Sequence, residues 1–103
     1  MGISENAEAI EVDELRKKIR QFLQENGCEP RVSGYTVLKD ILMLSVEHPN
    51  FNCKQLFMTY ADEMGCKWHV PYKRASYCIL ASQSPYKGVW GFISAFVEGV
   101  NEA

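Results

Sequence analysis

The chain has 103 residues, 47% of them hydrophobic and 23% charged, with a formal net charge of −2. That is the length and balance of one globular domain and excludes a disordered chain. With no apolar run of about 18 residues and no basic, apolar and small-residue start, the expectation is a cytoplasmic protein without a membrane partner.

Residues 1–9 read as an acidic, mobile tail, with 10–103 as a single helical domain. Asn6 stands where a myristoylation site needs Ser or Thr. From Ile10 to Asn26 the apolar residues Leu15, Ile19, Phe22 and Leu23 recur at helical spacing. Early Asp13 and Glu14, followed by Arg16, Lys17, Lys18 and Arg20, suit the helix dipole, and Gly27 is a stop. After the connector Cys28-Glu29-Pro30-Arg31-Val32, Ser33 and Gly34 open a second helix over Tyr35–Glu47. Its Val37, Leu38, Ile41, Leu42, Leu44 and Val46 crowd most of the circumference, which predicts a central, buried helix.

Asn52 and Gln55 have the spacing of a capping box. Leu56, Phe57, Tyr60, Ala61 and Met64 then form the stripe of a third helix, ended by Gly65. Pro71 suits the first turn of a fourth helix, Pro71 to about Ser82, with Ala75, Ile79 and Leu80 as expected core contacts. A turn-rich link, Ser84-Pro85-Tyr86-Lys87-Gly88, leads to a last helix over about Val89–Asn101. That helix presents Trp90, Ile93, Phe96, Val97 and Val100, a stripe that caps the core or pairs with a second copy of the chain. The predicted fold is all-α, a compact bundle of about five helices.

Cys28, Cys53, Cys66 and Cys78 lack Cys-x-x-Cys spacing and read as reduced, small core residues. Cys66-x-x-His69 is one close pair where a structural zinc site brings two, so no metal is expected. No local motif sets a histidine beside a thiolate, and no glycine-rich loop cradles phosphate. His48 reads as a helix-end residue. The expectation is a protein that is not an enzyme and takes no cofactor.

Charge is unevenly placed. Residues 1–14 hold Glu5, Glu8, Glu11, Asp13 and Glu14 and no base, whereas Met64 to Val97 holds Lys67, Lys73, Arg74 and Lys87 and no acid. A basic stretch offers a landing surface for phosphate even in a chain that is negative overall. It also reads as a solvated face.

The segments at 53–82 have the skeleton of a helix-turn-helix: two short helices, small Ala61 in the first, and Gly65 at the turn. An ordinary helical hairpin fits the same pattern. In a DNA-binding unit the second helix lies in the major groove and shows polar and basic groups outward at its start. Tyr72, Ser76, Tyr77 and Arg74 would face bases, and Lys54, Lys67, Lys73 and Lys87 would hold phosphates.

Ser33-Gly34-Tyr35-Thr36-Val37-Leu38-Lys39-Asp40-Ile41 resembles the Gly-Tyr-x-x-Leu-[Arg/Lys]-[Glu/Asp] opening of one effector family. That family is the C-terminal DNA-binding domain of the stage-zero sporulation initiation regulator of Firmicutes. The stretch Leu23 to Val32 is similar to the approach to that opening. Leu56-Phe57-Met58-Thr59-Tyr60-Ala61 and Tyr72-Lys73-Arg74-Ala75 are similar to the family's Leu-Tyr-Pro-x-[Ile/Val]-Ala and Val-Glu-Arg-Ala segments. The likeness covers about residues 15–82, and Gly34-Tyr35 with Leu38 is its specific part.

The resemblance implies an all-helical transcription regulator that binds promoter DNA, with Arg74 in the place of the first recognition-helix arginine. Such proteins bind as dimers, and the terminal helix is the expected self-contact. This chain departs from the pattern at three places: Val70-Pro71 replaces Ser-Arg, Tyr77 and Cys78 replace an arginine and a histidine, and the turn is one residue longer. The lost donors and the acidic tail leave a second expectation, a protein-interaction module on the same scaffold with DNA binding lost.

Overall fold

The first helix, α1, spans Gly2–Glu25 and begins eight residues before the expected start at Ile10. No Gly or Pro interrupts the chain between Ile3 and Asn26, Ala and Glu are good helix formers, and acids early in a helix offset its dipole. The stretch read as a tail therefore continues the helix. The structure, a computed structural model, describes the backbone of residues 2–82, 84–86 and 88–102 and the side chains of 12–82, 84–86 and 88–100.

Four more helices follow: α2 Tyr35–Glu47, α3 Cys53–Met64, α4 His69–Ala81 and α5 Val89–Glu102. No strand occurs among the described residues. The molecule is an all-α bundle with a radius of gyration of 13.8 Å, near the roughly 13 Å of a compact domain of about 100 residues.

Local chemistry sets most boundaries. Gly27 takes a left-handed φ of 78°. Its N–H donates to the Gln24 carbonyl while that of Cys28 donates to Leu23, which closes α1 in a Schellman motif. At the start of α3 the Gln55 N–H donates to the Asn52 side chain at 2.8 Å, and the Asn52 N–H donates back to Gln55 Oε1 at 2.8 Å. This is the capping box that the spacing predicts. Gly65, with φ 71°, ends α3 in a second Schellman motif through Gly65 to Asp62 and Cys66 to Ala61. The fourth helix begins two residues before Pro71. Pro71 still lies in the first turn, where a missing N–H costs nothing. His48 caps the end of α2 and stacks on Phe51, with ring centroids 4.6 Å apart.

The central helix is α2, which packs against all four others. Leu38, Ile41 and Leu42 are fully buried with Ile19 and Leu23 of α1, Leu56 and Phe57 of α3, Ala75 and Ile79 of α4, and Phe92 and Ile93 of α5. Burial of this kind stabilises by about 1.5–3 kcal/mol per large apolar side chain.

Three expected core residues are not in it. Leu80 is 65% exposed, because it lies three residues after Tyr77 and seven after Lys73, on the outward stripe of α4. Met64 is exposed because it ends α3, beyond the packed core. Trp90 is 48% exposed. Val89, Phe92, Ile93 and Phe96 form the buried stripe of α5, and Trp90 falls at its edge. Nor are all four cysteines core residues: Cys28 and Cys78 are buried, Cys53 is half-buried and Cys66 is exposed.

One polar tie is buried. Asn26 donates from its side chain to the Phe22 carbonyl at 2.8 Å and accepts from the Ser84 hydroxyl at 2.8 Å. Ser84 Oγ accepts in turn from the Tyr86 N–H at 3.1 Å. The end of α1 is thereby fixed to the link before α5.

Candidate functional site

The outward face of α4 follows from its inward one. Pro71, Ala75, Cys78 and Ile79 turn into the core. At helical spacing this leaves His69, Val70, Lys73, Arg74, Tyr77 and Leu80 on the solvent side, and all six are exposed. No acid lies anywhere on α4. Among the described residues one ion pair is formed, Arg31 with Glu29 at 3.6 Å, and it lies elsewhere. Lys73 and Arg74 therefore present charge that is unpaired among the described residues.

The position of α4 is set by close backbone approach. A Cβ built on Gly34 would lie 1.9 Å from the Arg74 carbonyl oxygen and 2.8 Å from Cys78 Cβ. Only glycine lets the start of α2 sit against the α4 backbone at Arg74. The Gly34-Tyr35 dipeptide is thus a packing requirement that holds the candidate face in place.

Tyr60 of α3 lies beneath this face and is almost completely buried. Burial raises the pKa of its hydroxyl, the neighbouring Asp40 carboxylate raises it further, and the charge of Arg74 works in the opposite direction. Arg74 thus has its backbone against α2 and its charge near Tyr60, while its side chain remains exposed.

Between α3 and α4 the residues form an open groove lined in part by Met58, Asp62, Lys67 and His69. Lys54 Nζ sits over the Trp68 ring, 5.7 Å from its centroid, a cation–π contact across the mouth of the connector. Trp68, Tyr72 and Phe57 are stacked edge to face, with centroids 5.8 and 5.2 Å apart.

Of the residues expected to touch DNA, Lys73, Arg74 and Tyr77 share the outward face, with Lys67 and Lys54 near its N-terminal end. Tyr72 does not join them. It is half-buried and spends its ring on Phe57 and Trp68. Ser76 is also half-buried, on the edge of the inward stripe. Lys87 lies outside the described residues. His69, Val70 and Leu80, the last expected in the core, also belong to this face. The signal for them was the seven-residue repeat from Val70 to Tyr77 and from Lys73 to Leu80.

Cys78, on the inward side of α4, lies beside Cys28. Burial pushes the Cys78 thiol up to about 12, and its neighbour Cys28 adds to the effect. Burial likewise raises Cys28, against hydrogen bonds from Ser82 and Cys78. Both are protonated and inert at neutral pH. Among the described residues no three His, Cys, Asp or Glu side chains gather as a metal-binding group, so Cys66 and His69 stay apart from Cys53 and Cys78 in that sense. Among the described residues no helix is long and apolar enough to cross a membrane.

Comparison of the chain with protein-family models, with curated proteins and with solved structures found no match.

Proposed function

We propose that the chain is a cytoplasmic, non-enzymatic DNA-binding regulator that lays the outward face of α4 in the major groove, with α3 and the Gly65 turn completing a helix-turn-helix. The observation that carries this reading is the acid-free face of α4, on which Lys73, Arg74 and Tyr77 stand exposed and unpaired among the described residues. Phosphates neutralised by Lys67, Lys73 and Lys54 would supply affinity, and Arg74 and Tyr77 would reach base edges. The likeness to the sporulation effector domain at Gly34-Tyr35 and Arg74 points the same way. Trp90, half exposed on α5, is the natural contact for a homodimer through the C-terminal helix.

The test is a salt titration of binding to mixed-sequence duplex. Log affinity should fall with log salt by about 0.9 per neutralised phosphate. Lys73→Ala should reduce that slope by about 1, and Arg74→Ala should cost about 1–3 kcal/mol. Absence of binding at low salt overturns the reading.

A specific observation favours a second reading. Tyr77 and Leu80 are 64% and 65% exposed on the same face, with Val70 beside them. Exposed aromatic and apolar side chains next to an arginine are the composition of a protein-interaction hot spot. Under that reading the α4 face docks a protein. Loss of partner binding in Leu80→Ala, with no duplex binding by the parent chain, would identify it.

A further inference from the structure

A second charged surface lies between α1 and α2. Asp13, Arg16, Lys17 and Arg20 are spaced i, i+3, i+4 and i+7, so they form one stripe along α1 beside its buried Ile19 and Leu23. That stripe faces Lys39, Asp40 and Met43 of α2 across an open groove of about 540 Å³. The size is within the range of small-ligand sites, about 300–1,000 Å³.

The charges in this groove are arranged at a cost. Arg16 and Arg20 are like charges four apart on one helix, a destabilising pair. Asp13 is spaced to pair with Arg16 or Lys17, yet neither ion pair forms. Lys39 and Asp40 leave the α2 side equally unpaired among the described residues. Arg16, Lys17, Arg20 and Lys39 stand exposed along this groove, and none of them forms an ion pair among the described residues. An anion bound between Arg16 and Arg20 would offset their mutual repulsion.

We infer that the α1–α2 groove binds a small molecule carrying two or three linked phosphates. Four cations and two carboxylates give the groove a net formal charge of +2, which attracts a compact polyanion. Two arginines from successive turns offer the planar forks that phosphate oxygens accept in pairs. Asp13 can accept a hydrogen bond from a hydroxyl or amino group carried by a small ligand. This groove meets the region beneath α4 only through Asp40, next to Tyr60, and its cations do not depend on the α4 face binding DNA.

The experiment is titration of the full chain with inorganic tripolyphosphate, followed by calorimetry and by amide chemical shifts, with sulfate at matched ionic strength as control. Tripolyphosphate should bind saturably and raise the melting temperature, since a ligand of the native state stabilises it. Sulfate should do neither, and shifts should concentrate at 13–20 and 39–43. The double variant Arg16→Gln/Arg20→Gln, both exposed, should keep its helical circular dichroism and lose at least about tenfold in affinity. Lys18→Gln, which removes an exposed α1 cation outside the groove, should bind tripolyphosphate as the parent does. The inference is overturned if the parent prefers tripolyphosphate no more than sulfate, or if the double variant binds it unchanged. It is overturned equally if the double variant loses duplex binding alone, which would assign the groove to nucleic acid.

Discussion

Gly34 shows how a single absent methyl group positions a surface. Its missing Cβ lets the α2 start meet the Arg74 carbonyl, a rigid backbone atom that cannot swing away. Gly34→Ala should therefore overpack the α2–α4 contact and lower stability by about 1–3 kcal/mol in urea unfolding. Gly65 is the control. A Cβ there meets nothing within 4 Å, and only its φ of 71° resists substitution, so Gly65→Ala should cost about 1–2 kcal/mol through strain alone. Cys78 gives a pH dependence at the same scale. Its folded pKa is raised from 9.0 to about 12, so the native state holds the proton more tightly than the unfolded chain. Stability from this source is intact below about pH 9 and falls as pH rises towards about 12. Urea midpoints across that window should decline, and Cys78→Ala should decline less steeply.

The helices differ in what fixes their ends. Asn52 and Gln55 cap α3 through two reciprocal bonds that their i, i+3 spacing alone predicts. Asn52→Ala should cost about 1 kcal/mol, read as a lower thermal midpoint, without moving the α4 face. The start of α4 has no side-chain cap on Trp68, so Pro71 is the local signal in the sequence, and it lies two residues inside the helix. Periodicity located the inward stripe of α4 but not its limits. Ala75 and Ile79 are buried as expected, while Leu80, equally apolar, is turned outward by 100° of helix. Residue type says that a leucine favours burial; the angular position on a packed helix determines whether it is buried.

At the scale of the molecule, the contacts that matter most join distant segments. Asn26 and Ser84 are 58 residues apart and hold the end of α1 to the link before α5. Asn26→Ala would leave the buried Ser84 hydroxyl without its acceptor and should cost about 1–3 kcal/mol in unfolding free energy. The five-helix count, the central place of α2 and the capping box were legible in the sequence, because each follows from local spacing and cap chemistry. The inward turn of Tyr72, the exposure of Cys66 and Trp90, and the collection of Arg16, Lys17, Arg20 and Lys39 in one groove were not. Those depend on which helix covers which, and the α1 cations and the α2 lysine approach only when Ile19 and Leu23 dock against the central helix. The amino-acid order by itself determined the elements and the polarity of each face; the packing of α2 against its four neighbours decided which faces remained open to a partner, since burial is a property of pairs of helices and not of either one alone.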